Sequence, residues 1–309
     1  MNDYIILIMG VVCAGFGGEL FVRGSVGLAR WMRVSPGVVG ATVAAFATSS
    51  PELSVSINAA LAGTPQIALG DALGSNVVNI ALILGLALMY SGIQGSRDSL
   101  KRDFPVALSI PVITGILLLD GALSRTEGVL LLSIFLAWLA AAAIEARKQR
   151  NAAEAILGER QGWLAALSCM AGLGFLVAAG SLIVAGARGI AYSFGIDEFI
   201  IGATVVAVGT SVPEFATTIV AKIRGHDEVS LGTVLGSNIF NGLFIIAVAA
   251  VIHPITVNVI EVAVALLFGL ASVLLTFPTR SGFIEQRRGL LLLILYIVYL
   301  STLLQQYVR

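Results

Sequence analysis

A segment of 41 residues occurs twice in this chain, 162 positions apart and without a gap. Residues 40–80 read GATVAAFATSSPELSVSINAALAGTPQIALGDALGSNVVNI, and residues 202–242 read GATVVAVGTSVPEFATTIVAKIRGHDEVSLGTVLGSNIFNG. Nineteen of these 41 positions are identical. The identities include Thr, Ser, Pro, Glu and Asn, which a shared apolar composition does not explain. The fold therefore has to contain two copies of one structural unit.

Both copies lie in strongly apolar sequence. Hydrophobic residues make up 58% of the chain and charged residues only 12%, about half of the roughly 25% charge of soluble domains. Because a helix needs about 20 apolar residues to cross the hydrocarbon core, the apolar runs predict ten spans. The 18 basic and 18 acidic residues balance, which argues against a nucleic-acid partner. We therefore predict an all-α integral membrane protein whose surroundings are the lipid bilayer.

The basic residues fall on alternate loops between the predicted spans. Loops one, three, five, seven and nine hold 14 of the 18 Lys and Arg residues. The positive-inside rule places these loops in the cytoplasm. We therefore expect a multi-pass protein of the cell membrane with both termini on the non-cytoplasmic side and an even number of spans.

The repeat divides the ten spans into two halves. Residues 1–146 form a first five-span repeat, residues 147–161 a polar connector, and residues 162–309 a second five-span repeat. Because five is odd, the two copies enter the membrane from opposite sides. Such inverted repeats are typical of secondary transporters that alternate access around a site at the membrane midplane.

Each half carries one glutamate deep in its second span. An ionised carboxylate at the depth of Glu52 or Glu214 costs about 3 kcal/mol or more. No Lys or Arg lies in the middle of the neighbouring spans, so a bound cation or a proton has to compensate. Pro51 and Pro213 each remove a backbone hydrogen bond just before the glutamate, which predicts that the second and seventh helices are broken.

The other polar groups near the glutamates all offer oxygen. They are Thr48, Ser49, Ser75 and Asn79 in the first repeat and Thr210, Ser211, Ser237 and Asn241 in the second. The two prolines also leave the carbonyls of Ala47 and Gly209 without a helical partner. Hard oxygen ligands suit sodium and calcium. The Ser and Asn of each third span, four residues apart on one helix face, are either ligands too or hydrogen-bond donors between helices.

Two glutamates that meet across the repeat would repel each other by about 4 kcal/mol, for a separation of about 4 Å and an effective dielectric near 20. A divalent ion, several monovalent ions or a proton would neutralise the pair. Different cations then compete for the same carboxylates, which is a physical basis for exchange.

The paired motifs GATVAAFATSSPEL with GSNVVN, and GATVVAVGTSVPEF with GSNIFN, resemble the alpha repeats of the calcium/cation antiporter superfamily, in particular the sodium/calcium exchanger family. The resemblance covers nearly the whole chain. It implies calcium bound between Glu52, Glu214, Thr48 and Thr210, and sodium ions bound there and at Ser49, Ser75, Ser211 and Ser237. It also implies backbone-carbonyl ligands at Ala45 and Ala207, two residues before the carbonyls that the prolines indicate.

The resemblance further implies that calcium and sodium are the transported ions and that no cofactor is needed. It implies that the first and sixth spans slide as a pair against the other helices. Some members, including the potassium-dependent branch, have Asp where this chain has Asn241. Because both Asn79 and Asn241 are neutral, we expect a site charge of −2 and no potassium cotransport.

The predicted function is therefore an antiporter that exchanges calcium for sodium, and it is not an enzyme. Calcium/proton exchange is the alternative, since a glutamate pair also trades calcium for protons. A cation channel is more remote, because inverted repeats with broken helices favour alternating access. An intramembrane protease is weaker still, because the apolar spans contain neither an Asp pair nor a Ser/His dyad.

Overall fold

The computed structural model describes residues 3–61, 63, 65–96, 99–153, 162–193, 207–257 and 259–308. In the first half of the chain the helices are α1 (Asp3–Met32), α2 (Pro36–Thr48), α3 (Ser50–Leu61), α4 (Pro65–Tyr90), α5 (Phe104–Leu117) and α6 (Arg125–Ala153). In the second half they are α7 (Gly162–Ser193), α8 (Ala207–Thr210), α9 (Val212–Ile223), α10 (Asp227–Ile252), α11 (Val259–Leu275) and α12 (Arg287–Val308). The protein is highly helical, as predicted.

Several of these helices suit a bilayer. Five of those in the described residues contain a stretch long and apolar enough to cross it, namely α1, α4, α6, α7 and α10. Large apolar side chains such as Ile8, Phe16 and Leu267 are exposed by 62%, 66% and 65%, which fits contact with lipid rather than water. The architecture is consistent with ten spans, although the count itself stays a prediction.

The second and seventh spans are broken where the prolines predict. Ser49 separates α2 from α3 with φ −85° and ψ 12°, and Ser211 separates α8 from α9 with φ −83° and ψ 7°. Each break lies two residues before the proline, whose ring removes a donor from the helix. Each glutamate therefore lies in the first turn of a new helix.

Two of the π-helical segments in the described residues occupy equivalent places in the repeats, and neither was predicted from the sequence. Residues Val78–Leu84 of α4 and Phe240–Ile245 of α10 adopt this wider winding. The two segments begin 162 positions apart, so the structure repeats this irregularity as the sequence repeats its motif. Single π turns within helices are frequent at functional sites, and these two contain Asn79 and Asn241.

Four short strands hold the loops together at the two ends of the helices. Strand β1 (Ile93–Gln94) pairs antiparallel with β4 (Phe283–Ile284), and β2 (Ala122–Leu123) pairs antiparallel with β3 (Ile255–Thr256). Loops three and nine thus meet at one end, which we call the β1–β4 face. Loops four and eight meet at the other end, the β2–β3 face. This grouping agrees with the alternation of basic loops, and which face is cytoplasmic stays a prediction.

Glycines bring the helix backbones into contact in two places. A methyl group on Gly24 of α1 would approach the backbone nitrogen of Cys169 in α7 to 2.5 Å, and one on Gly172 would approach Phe21 equally closely. A methyl group on Gly236 of α10 would overlap the backbone of Ala41 in α2. Close approach through small residues is a common mode of helix packing in membranes, and here it places the α2/α3 break beside α10.

Candidate cation site

The two glutamates occupy equivalent places in the interior. Glu52 is the third residue of α3 and Glu214 the third residue of α9. Their exposed fractions are 1% and 0%. Each carboxylate lies at a helix N-terminus, where the helix dipole favours negative charge by up to about 2 kcal/mol. This term alone offsets only part of the cost of burying an ionised carboxylate.

Hydroxyl groups around Glu214 come from both repeats. Ser49 donates to Oε1 of Glu214 at 2.8 Å, and Ser237 donates to the same oxygen at 3.2 Å. Thr48 lies 3.5 Å from Ser237, oxygen to oxygen, and also interacts with Glu214. Thr48 and Ser49 belong to the first repeat and Glu214 to the second, so the site extends across the boundary between them.

The surroundings of Glu52 mirror this exchange between repeats. Thr210 of the second repeat interacts with the Glu52 carboxylate. Even so, in the part of the chain that the structure describes, both oxygens of Glu52 are buried without a hydrogen bond of normal geometry, and so is Oε2 of Glu214. Buried carboxylate oxygens without partners are costly. Three carboxylate oxygens are therefore available to a cation.

Of the remaining serines, Ser75 and Ser211 are 0% and 1% exposed. Their hydroxyl oxygens have no hydrogen-bond partner in the described residues. The carbonyl of Ala45 accepts from the Thr48 hydroxyl at 3.3 Å and from the Ser49 amide at 3.0 Å. Ala207 begins α8. The Ala45 carbonyl thus already accepts hydrogen bonds within its helix. The hydroxyls of Ser75 and Ser211 remain available to a cation.

The asparagines divide into two kinds. Asn76 and Asn238 donate to each other's backbone carbonyls at 3.2 and 3.0 Å, and Asn79 donates to the side-chain oxygen of Asn238 at 3.1 Å. Asn241 is fully buried, and among the described residues neither its side-chain atoms nor the side-chain oxygen of Asn79 has a hydrogen-bond partner. Asn76 and Asn238 therefore join the repeats, while Asn79 and Asn241 retain an oxygen that a cation can use.

Within the described residues, one basic side chain is buried, and it lies elsewhere. Lys222 is 4% exposed, and its ammonium group donates to Asp227 at 2.7 Å and to the carbonyl of Gly92. Lys222 is therefore already paired at the end of α9. The charge of the glutamates is left for a mobile cation, and carboxylate, hydroxyl and amide oxygens are the donor set that sodium and calcium prefer.

One acidic residue escaped the sequence analysis. Asp71 of α4 is half-buried, its Oδ2 is buried without a partner, and it interacts electrostatically with both Glu52 and Glu214. Asp71 is thus a third acidic group in the electrostatic surroundings of the two glutamates, while a site charge of −2 stays a prediction. Asp71 lies one helical turn before Ser75, a spacing that would have revealed it.

The helical membrane fold, with its paired broken helices and shared buried carboxylates, defines a secondary transporter of cations. The family model "Sodium/calcium exchanger protein" matches residues 3–143 and 164–305, which is nearly the whole chain. The protein therefore belongs to the sodium/calcium exchanger family, a family of transporters and not of enzymes.

Individual relatives agree with this assignment. "Putative antiporter CaxA" of Alkalimonas amylolytica is 35% identical over 84% of this chain and 83% of its own. "Sodium/calcium exchanger MaX1" of Methanosarcina acetivorans is 28% identical over 97% of this chain and 98% of its own. Among solved structures, the sodium-calcium exchanger NCX_Mj superposes with a TM-score of 0.83 at 30% identity, over 97% of this chain and 98% of that one.

Proposed function

We propose that the protein exchanges calcium for sodium across the cell membrane by alternating access at the Glu52/Glu214 site. The observation that supports this most directly is the pair of fully buried glutamates, one from each repeat, with three oxygens that lack hydrogen-bond partners among the described residues. A buried charge of this size needs a counter-charge. Cations that arrive and leave supply it, and each cation replaces the one before.

The proposed calcium ligands are the two carboxylates with the hydroxyls of Thr48 and Thr210. The proposed sodium sites use the same carboxylates with other oxygens, those of Ser49, Ser75, Ser211 and Ser237, the carbonyls of Ala45 and Ala207, and the amides of Asn79 and Asn241. The unpartnered hydroxyls of Ser75 and Ser211 support this division. Calcium accepts six to eight oxygen ligands with flexible geometry, which the shared set of oxygens provides.

Access would alternate by movement of α1 and α7 relative to the remaining helices. These two long helices meet through Gly17, Gly24 and Gly172, so they pack closely on each other along their length. Gly18 of α1 also faces Ala216 and Val220 of α9. A surface of small residues offers little side-chain interlock, and the pair would slide over α9 as one body.

The similarity to the sodium/calcium exchanger MaX1 and to the sodium-calcium exchanger NCX_Mj favours sodium over protons as the coupling ion. Calcium/proton exchange remains the second candidate because a glutamate pair also binds protons. The two candidates differ in which gradient drives transport.

The test is uptake of radioactive calcium into liposomes that contain the purified protein. A sodium, potassium or proton gradient, directed outward, is imposed in turn at clamped membrane potential. We expect uptake with the sodium gradient alone. Uptake that follows only the proton gradient would establish the alternative. Rapid uptake without any counter-ion gradient would indicate a channel and refute exchange.

A further inference from the structure

Asp71 breaks the symmetry of the two repeats beside the proposed ion site. At the offset of 162 it corresponds to Thr233, whereas Gly70, Gly74 and Ser75 all have identical counterparts. Asp71 and Thr233 each lie one turn, about 6 Å, before the serine of their helix. The path from one face of the protein to the site, which we call an approach, thus contains a carboxylate. The approach from the other face contains a neutral hydroxyl at the equivalent position.

Asp71 lies toward the β2–β3 face. It is six residues, or about 9 Å, from the start of α4 at Pro65. At that helix end, Gln66 donates to the carbonyl of Thr256 in β3 at 3.1 Å. Asp71 is half-buried while Glu52 and Glu214 are fully buried, so Asp71 stands between the glutamates and this face.

Thr233 lies toward the opposite face. Its helix, α10, begins at Asp227, which accepts a hydrogen bond from the backbone of Gln94 in β1 at 2.9 Å. The Thr233 side chain is fully buried, with its hydroxyl unpartnered. Asp71 and Thr233 therefore hold equivalent positions in their helices but differ in charge.

A second group accompanies Asp71 on the same approach. Ser56 lies four residues after Glu52 in α3 and so shares its helix face. It is fully buried and its hydroxyl has no partner in the described residues. Its counterpart Thr218, four residues after Glu214, is also buried and unpartnered. An unpartnered buried hydroxyl beside the glutamate is a point at which a dehydrating cation finds an oxygen.

The described residues contain no group of three acidic, His or Cys side chains close enough to hold one metal ion together. Asp71 is therefore not a third carboxylate on the ion that Glu52 and Glu214 bind. Its interaction with both glutamates is electrostatic and longer in range. Its influence falls on a cation that approaches the pair.

We propose that Asp71, with Ser56, forms an outer cation-binding step on the β2–β3 approach, so that calcium binds more readily from this face than from the β1–β4 face. The inference rests on the proposed exchange function and specifies a property of its site. A fixed carboxylate in a narrow polar approach concentrates cations there by about tenfold or more. Thr233 and Thr218 offer no such charge on the other approach.

The experiment measures the half-saturating calcium concentration separately on each face, in right-side-out and inside-out vesicles that contain the protein. In Asp71→Asn we expect this concentration to rise about tenfold on the β2–β3 face and by less than about twofold on the opposite face. Asp71→Glu keeps the charge and should stay close to the unchanged protein. Thr233→Asp adds the missing charge and should lower the value on the β1–β4 face.

The matched control is Asp120→Asn. Asp120 lies just before β2 on the same face, is exposed, and accepts a bond from the Ala122 backbone through an oxygen that Asn keeps. It should leave both values unchanged. The inference would be overturned if Asp71→Asn shifted the half-saturating calcium concentration equally on both faces, or not at all. If Asp71→Asn fails to fold, an unchanged half-saturating concentration on the β1–β4 face in Thr233→Asp would overturn it. Sodium-driven uptake by the unchanged protein is measured first, so a failure of the proposed function is seen separately.

Discussion

Ser49 of the first repeat donates a 2.8 Å hydrogen bond to Glu214 of the second. Ser49 lies only three residues before Glu52, yet its hydroxyl serves the glutamate of the other repeat. In the reverse direction, Thr210 of the second repeat interacts with the Glu52 carboxylate of the first. Each repeat thus contributes a carboxylate and also a hydroxyl that faces its partner's carboxylate, so the candidate site is built from both halves.

The glutamates are the first target for substitution. Glu52→Gln and Glu214→Gln each remove one charge and keep the shape, and we expect each to abolish sodium-driven calcium uptake. The physical reason is that one remaining carboxylate leaves a divalent ion with an unbalanced positive charge in the interior. The loss of transport is measured as radioactive calcium uptake into sodium-loaded vesicles.

Glu127→Gln is the matched control for both variants. Glu127 is half-buried in the first turn of α6, where it accepts from the backbone nitrogen and the hydroxyl of Ser124, and its substitution should leave uptake unchanged. Uptake retained in both Glu52→Gln and Glu214→Gln would show that calcium binds elsewhere.

Removal of the Ser49 hydroxyl should raise the half-saturating sodium concentration more than removal of the Ser50 hydroxyl. Ser49→Ala removes a donor to a buried carboxylate, a loss worth about 1–3 kcal/mol, and should raise the half-saturating sodium concentration. Ser50→Ala is the control, since the Ser50 hydroxyl donates to the carbonyl of Phe46 in α2, at 3.1 Å, and not to a carboxylate. Similar sodium dependence in the two variants would contradict a role for Ser49 at the site.

Much of this arrangement could be predicted from the sequence because it depends on the chemistry of individual side chains. Pro51 and Pro213 predicted the helix breaks, since a proline cannot donate a backbone hydrogen bond. The π-helical segments at Asn79 and Asn241 could not be predicted, because they depend on tertiary packing rather than on a residue type. Asp71 was missed because it lies near the end of its apolar span, where a charge is ordinarily solvated.

Close packing at Gly236 gives a stability prediction. In Gly236→Ala the new methyl group would lie within 2.7 Å of the Cα of Ala41, and backbone atoms cannot rotate away. Overpacking of this kind costs about 1–3 kcal/mol, so we expect a lower melting temperature in detergent. Gly115→Ala is the control, because its methyl group would meet only Leu266 at an ordinary 3.6 Å. Equal melting temperatures would show that α2 and α10 can separate without cost.

The orientation of the chain can be tested by labelling. In a variant without native cysteines, Asp120→Cys reports the β2–β3 face and Lys101→Cys, near β1, reports the β1–β4 face. The positive-inside rule predicts that a membrane-impermeant thiol reagent added to intact cells labels the first and not the second. The reverse pattern would invert the proposed topology, and labelling of both would contradict the two-faced arrangement.

A salt bridge connects α1, which we propose slides together with α7, to the end of α9, the helix that carries Glu214. Glu19 of α1 accepts from Arg224, just after α9, at 2.8 and 2.9 Å, and it also pairs with Arg23, four residues further along α1. Partly exposed pairs contribute at most about 1 kcal/mol. Arg224→Gln should therefore raise the maximal transport rate by up to about fivefold and leave the half-saturating calcium concentration unchanged, because the bond holds α1 in one position without touching the ion site.

Arg23→Gln, which removes the partner within α1 itself, should change neither quantity. Stopped-flow calcium uptake measures both, and an altered half-saturating concentration in Arg224→Gln would show that this contact acts on the site rather than on the movement of α1.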